Sequence, residues 1–282
     1  MRELVKQVTE GYLAATSGLR MLPDFIVIGT QRGGTTSLYR YLAAHPGVAP
    51  TLVSKGVHYF DVQYDRSPAW YRGHFPPRAY RAWREDVLRQ PLITGEASPY
   101  YLFHPAVPAR VAEMLPDVKL IVMLRDPVKR AFSHYHHEFE GGFETLATFE
   151  EAIEAEPGRL EGETRRLLED PTYVSYAHQH HSYLARGRYA EQLEAWFAHV
   201  PRERLLVFTS EEFYRDTASL YVEVQDFLGL SHHPLKEFKT YNAHSYAPMS
   251  SATNERLRDH FREPNAALAE LLGRDLGWDT PA

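Results

Sequence analysis

The chain has 282 residues, no cysteine, and a formal net charge of −6, with 31 Lys and Arg against 37 Asp and Glu. It is long enough for a substantial core, and no linker, composition shift or repeat divides it, so one domain over 1–282 is expected, with 1–22 as an N-terminal helical extension. The lack of cysteine excludes a disulfide framework and thiolate metal centres. An acidic balance without a long basic cluster argues against nucleic acid as a partner, and against a polyanionic polymer as substrate.

Arg2, Glu3, Lys6, Glu10 and Arg20 interrupt the first 21 positions. The expectation is therefore no secretory leader and no membrane anchor, a short amphipathic helix at 4–14, and a cytoplasmic location. Residues 25–37, Phe-Ile-Val-Ile-Gly-Thr-Gln-Arg-Gly-Gly-Thr-Thr-Ser, then carry the strongest signal. An apolar run that reads as a buried strand breaks into a Gly-rich turn and restarts as a helix. This layout cradles an anion, because glycine lets backbone approach closely and the new helix points free N–H groups and a favourable dipole at it. The spacing from Gly29 to Gly34 matches a nucleotide-binding P-loop. The Lys that such a loop sends to a triphosphate is replaced by Thr35, however, and the basic residue is Arg32, inside the loop. A phosphate cradle without triphosphate chemistry is expected over Arg32, Gly33, Gly34, Thr35, Thr36 and Ser37.

Beyond the cradle, 48–61 reads as extended, 68–74 as a helix, 91–95 as a short buried strand and 105–115 as an amphipathic helix. Val118 to Leu124 is a second fully apolar run. Asp126 suits a helix cap and Pro127 a first helical position, which predicts a helix over 127–139. Arg125 thus leaves the C-terminal end of a strand, where open α/β sheets bind ligands, and Ser133 lies two helical turns on. The acidic tract from Glu138 to Glu169 reads as a solvated helical surface. A Glu-rich helix from about 148 gives way to a mobile polar segment at 157–172, and helices follow at 176–184 and 188–199. A strand at 205–208 and helices near 217–228 and 252–272 bracket an irregular stretch at 231–250. Tyr183, Tyr189 and Trp196 read as core. Such alternation predicts an α/β fold, a P-loop-like parallel sheet with helices on both faces.

Two histidine clusters, His134-Tyr135-His136-His137-Glu138 and His178-Gln179-His180-His181, invite a metal reading. No His-Glu-x-x-His pattern supports it, and no metal is expected. A helix lining a ligand cleft with hydrogen-bonding rings such as His137 is the preferred reading.

Together the 25–37 and 118–135 segments resemble the sulfotransferase family that uses 3′-phosphoadenosine 5′-phosphosulfate (PAPS; its desulfated product is PAP). The resemblance extends to Lys55-Gly56-Val57-His58-Tyr59-Phe60-Asp61 with Trp70-Tyr71, and to Gly95-Glu96-Ala97-Ser98-Pro99-Tyr100-Tyr101. It also takes in Val224 to Leu230 and Phe261 to Arg274. These stretches are similar to heparan sulfate sulfotransferases, close to the glucosaminyl 3-O-sulfating members, from about residue 24 to 279.

The resemblance implies a sulfotransferase fold, PAPS as co-substrate, the first loop on the 5′-phosphosulfate, and Arg125 and Ser133 on the 3′-phosphate. His58, Asp61 and Glu96 are implied on the acceptor side, and the helix that carries His137 is read as lining the acceptor cleft. Three departures stand out. Ala97 occupies a Lys position of such relatives, Ala243-His244-Ser245 replaces their Lys-Gly-Arg, which leaves Tyr246 or a backbone amide for that phosphate contact, and Gly56 replaces the Glu that takes the acceptor proton. His58, two residues on in an extended segment, would share the face of position 56, so it is the expected base, with Asp61 or Glu96 orienting it and Glu96 in reserve. The acceptor is a hydroxyl of a carbohydrate, glycolipid or hydroxylated secondary metabolite. The competing readings are a P-loop kinase or NTPase and a non-catalytic nucleotide-binding module.

Overall fold

The computed structural model describes residues 11–235, 237–238 and 248–278. Its centre is a parallel sheet of five strands in the order β2-β3-β1-β4-β5. The strands are β1 Phe25–Gly29, β2 Val48–Ala49, β3 Ile93–Ala97, β4 Lys119–Leu124 and β5 Leu205–Thr209. The α-helices up to the middle of the chain are α1 Thr35–Ala43, α2 Pro68–Gly73, α3 Arg78–Asp86, α4 Val107–Met114, α5 Pro127–Glu140 and α6 Phe149–Leu160. Then come α7 Glu163–Glu169, α8 Tyr176–His180, α9 Tyr189–Phe197, α10 Ser210–Arg215, α11 Thr217–Leu228 and α12 Ser251–Leu272.

β1 and β4 are buried along both faces, which is why their sequences are unbroken apolar runs rather than alternating ones. The period of two still sorts their side chains. Ile26, Ile28, Leu120, Val122 and Leu124 enter one core with Tyr71 of α2, Val107 and Val111 of α4, and Leu193 and Trp196 of α9. Phe25, Val27, Ile121 and Met123 enter the other with Leu38 and Leu42 of α1, Phe213 of α10 and Val224 of α11. Burying each such side chain contributes about 1.5–3 kcal/mol, so the sheet is the rigid floor on which the loops are hung. Tyr183, Tyr189 and Trp196 are core residues, as expected. A third cluster joins α5, α6 and α12 through Ala131, Ile153 and Phe261.

Four segments differ from the expectation. The stretch 157–172 is helical for much of its length, as the end of α6 and α7. Its anchors are polar. The buried Glu156 carboxylate accepts the amides of Leu184 (2.7 Å) and Ala185 (2.8 Å), and Glu163 accepts Tyr173 Oη at 2.6 Å. α3 has no buried residue. It is held instead by Arg81 on Asp24 and by Arg84 on the Pro46 carbonyl. The helix expected over 176–184 stops at His180, and β3 starts two residues later than expected. Of the helix expected at 4–14, residues 11–14 are helical and the rest lie outside the described residues.

Candidate active site

The loop after β1 is pinned before it meets any ligand. Thr30 donates its amide to Met123 O at 2.9 Å, and Ser210 Oγ donates to the carbonyls of Gly33 and Leu124. Gly33 packs so closely that a Cβ there would lie 2.5 Å from Met123 O, and Gly34, which caps α1, has φ +99°. Both positions need glycine. The Gly33 amide is spent on Thr30 O and that of Ser37 on Gly34 O, each at 2.9 Å. The amides left to face an anion are those of Gly34, Thr35 and Thr36, a narrower set than the whole 33–37 run. Thr35 and Ser37 are buried, so the hydroxyl at the mouth of the cradle belongs to Thr36. Gly33→Ala is expected to push the loop off β4, costing about 1–3 kcal/mol of stability and most of the PAP affinity. Thermal denaturation and calorimetry on the variant check both.

β4 delivers the second cation. Arg125 Nη1 donates to the Arg32 carbonyl at 2.9 Å, and Arg32 Nε donates to Ser133 Oγ at 3.0 Å. The structure thus joins Arg32, Arg125 and Ser133 in one cluster between the first loop and α5. Arg32 has a left-handed backbone, φ 68°, that turns its guanidinium toward Ser133. Asp126 is fully committed. Its Oδ1 accepts the Val128 amide at 2.9 Å and its Oδ2 pairs with Arg258 at 2.7 Å, so it caps α5. An acid at a strand end is what an Mg²⁺-nucleotide site needs, and this one is occupied by the fold.

On the acceptor side, His58 Nδ1 and Asp61 Oδ2 are 2.8 Å apart, with the Asp61 side chain wholly buried and that of His58 38% exposed. Asp61 also accepts the Val62 amide at 2.6 Å, so it orients His58 and does not face an acceptor. Burial opposes charge on the ring, but the Asp61 carboxylate outweighs it and raises the His58 pKa above the ordinary histidine value. The extended backbone expected here is not found, since His58 has φ 55°. That conformation is held by its amide on Ser98 Oγ (3.0 Å), and Ser98 Oγ in turn donates to Glu96 Oε2 (2.7 Å). The ring folds back over position 56 all the same. A Cβ on Gly56 would lie 3.2 Å from His58 Nε2 and 2.8 Å from Ala97 O, so ring and backbone leave no room for a side chain at 56.

Glu96 lies behind this surface with no exposure. Its oxygens accept the Val57 amide at 2.9 Å, Ser98 Oγ at 2.7 Å and Tyr71 Oη at 2.8 Å. Burial raises its pKa against those hydrogen bonds. The geometry makes it the scaffold of the 56–58 turn rather than a group that reaches a substrate.

Two features went unread in the sequence. Lys55 Nζ donates to Thr36 Oγ1 at 2.7 Å, which links the acceptor segment to the cradle. Gln31 donates Nε2 to the buried Glu138 at 3.0 Å and accepts from Arg186, so the loop residue before Arg32 is clamped from below. Glu138 also binds His180 Nδ1 at 2.7 Å and lies 3.2 Å from His134 Nε2. Burial lowers the His134 pKa to about 3, which leaves it neutral. His137 points outward from the same helix and does not share their face. Among the described residues no group of three or more His, Cys, Asp or Glu could hold a metal ion. Ala243, His244, Ser245 and Tyr246 lie outside the described residues. Lys55 heads the 55–61 stretch already singled out, but nothing in the sequence says that its side chain reaches Thr36.

The sulfotransferase domain family matches residues 22–261. The chain is 31% identical to human heparan sulfate glucosamine 3-O-sulfotransferase 3B1, across 93% of this chain and 66% of that protein. It is 29% identical to the membrane-associated sulfotransferase kil1 of Dictyostelium discoideum, across 92% and 67%. It thus spans about two thirds of the length of these relatives. No helix among the described residues is long and apolar enough to cross a membrane. The crystal structure of a sulfotransferase from Alicyclobacillus acidocaldarius is 30% identical and superposes with a TM-score of 0.66, covering 92% of this chain and 100% of that one. A cradle stripped of its triphosphate lysine, a strand-end arginine beside a helix serine, and a match across most of the chain lead to one assignment: this chain belongs to the sulfotransferase domain family and is an enzyme of that class.

Proposed function

We propose that the chain transfers the sulfuryl group of PAPS to a hydroxyl of a carbohydrate, glycolipid or hydroxylated secondary metabolite. One observation carries this reading. The loop after β1 and the end of β4 meet through the Arg32–Ser133 and Arg125–Arg32 hydrogen bonds, and the segment that carries the His58–Asp61 pair is tied to the cradle through Lys55 and Thr36. The donor set suits a nucleotide with phosphates at both 3′ and 5′ positions: backbone amides, the Thr36 hydroxyl and Arg32 on one side, Arg125 and Ser133 on the other. Bound PAPS would supply the activated sulfuryl group and a 5′-phosphate leaving group.

The chain's own residues do the rest. The α1 amides and Arg32 offer fixed donors where leaving-group charge grows, each worth about 3 kcal/mol in a dry site. His58 accepts the acceptor proton at Nε2, and Asp61 holds the tautomer that makes Nε2 available. A kinase reading lacks its lysine, because Thr35 stands there, and lacks a free acid at the β4 end. The acidic overall charge favours acceptors without dense negative charge over a sulfated polymer.

Arg32→Ala is expected to lower turnover more than it weakens PAP binding, because leaving-group charge peaks in the transition state. Loss of PAP binding in proportion to turnover would make Arg32 a ground-state anchor. The function itself is tested by incubating the chain with sulfur-labelled PAPS and a panel of neutral glycans, glycolipids and phenols. Label transferred to a hydroxyl supports the reading. PAP binding with no transfer across the panel would favour the non-catalytic module.

A further inference from the structure

We infer that Lys55 is a catalytic residue, whose ammonium group stands at the mouth of the cradle to contact the oxygens of the sulfuryl group in transfer. This rests on the reading above. Lys55 belongs to the acceptor-side segment, yet its Nζ donates to Thr36 Oγ1 at 2.7 Å, at the first turn of α1. Its backbone is tied down, since Lys55 O accepts the Ala97 amide at 2.8 Å at the end of β3. Its side chain spans from the end of β3 to the cradle.

No described carboxylate pairs with this amine. A half-buried ammonium whose hydrogen-bond partner is a neutral hydroxyl is poorly compensated, and an anion in the cradle would compensate it. The charged groups that face it are cationic or titratable: Arg40 on α1 and His58 in its own segment. Burial and then Arg40 bring the Lys55 pKa down to about 8. The position between base and cradle fits the step as it balances. The acceptor oxygen forms a bond to sulfur as its proton passes to His58. The bond from sulfur to the 5′-phosphate oxygen breaks, and its electron pair leaves with the phosphate. Lys55 supplies neither proton nor electrons. It offsets negative charge on the sulfuryl oxygens, where PAPS differs from PAP.

The test compares wild type, Lys55→Ala and Lys55→Arg by calorimetry with PAPS and with PAP, alongside PAP release from PAPS in water and with neutral oligosaccharides across pH. The expected result for Lys55→Ala is PAPS affinity lowered at least tenfold, PAP affinity within about threefold of wild type, and PAP release lowered about a hundredfold. Lys55→Arg should restore part of the rate and move the falling alkaline limb, near pH 8 in wild type, to higher pH, because guanidinium stays charged. Equal losses for PAPS and PAP would make Lys55 a phosphate anchor and overturn the proposal. So would a Lys55→Ala variant with unchanged PAPS affinity and rate. A wild-type chain that bound neither nucleotide would bring down the sulfotransferase reading itself, a result distinct from either.

Discussion

His58→Ala should lower turnover by about 10²–10⁴-fold while PAP affinity stays within about twofold, the signature of a lost general base. The effect is large because an alcohol ionises negligibly at neutral pH, and because among the described residues no other titratable ring is set so close to position 56. The pH dependence sharpens the test. Asp61 favours the charged ring, so the His58 pKa is raised, and the base is neutral only above that value. kcat/KM should therefore rise with pH along a limb displaced above the ordinary histidine value of about 6.5. Asp61→Asn removes the stabilising carboxylate, and its limb should move to lower pH while the maximal rate falls. A limb unmoved by Asp61→Asn would detach the His58–Asp61 pair from proton transfer. Glu96→Gln separates base from scaffold: it should cost stability and alter the 56–58 turn, and it should move that limb to lower pH by less than Asp61→Asn does, because Glu96 is a smaller cause of the raised His58 pKa than Asp61.

Arg125→Ala should weaken PAP binding about 10–100-fold, the range for a lost hydrogen bond to a charged group. AMP, which lacks the 3′-phosphate, should bind the variant about as well as it binds the wild type. The control matters because Arg125 also donates to the Arg32 carbonyl. A parallel loss of AMP affinity would show that Arg125 acts by holding the loop. Ser133→Ala is expected to have a smaller effect in the same direction, since a neutral hydroxyl makes a weaker bond to phosphate than a guanidinium does.

The parallel sheet was legible because its central strands are buried on both faces, and unbroken runs such as Val118 to Leu124 have few other readings. The cradle was legible because close approach and positive φ demand glycine, and Gly33 and Gly34 stand where those demands fall. Arg125 and Ser133 came from strand-end logic joined to a family resemblance. The parts that escaped depend on contacts far apart in sequence. Nothing near Lys55 announces Thr36, 19 positions away, and nothing near Gln31 announces Glu138, 107 positions away. α3 escaped because arginines hold it, and α7 because polar anchors do. His58 was chosen for a backbone geometry that it lacks. Its left-handed φ brings the ring over Gly56 by another route.

The most direct test of a PAPS-dependent site is calorimetric titration of the wild-type chain with PAP, AMP and ATP in the absence of magnesium. Two anion corners predict PAP bound at least tenfold more tightly than AMP, because the 3′-phosphate adds a charge-assisted contact at Arg125. They also predict that magnesium adds nothing to PAP binding. Equal affinity for PAP and AMP, or tight binding that appears only with ATP and magnesium, would contradict the account.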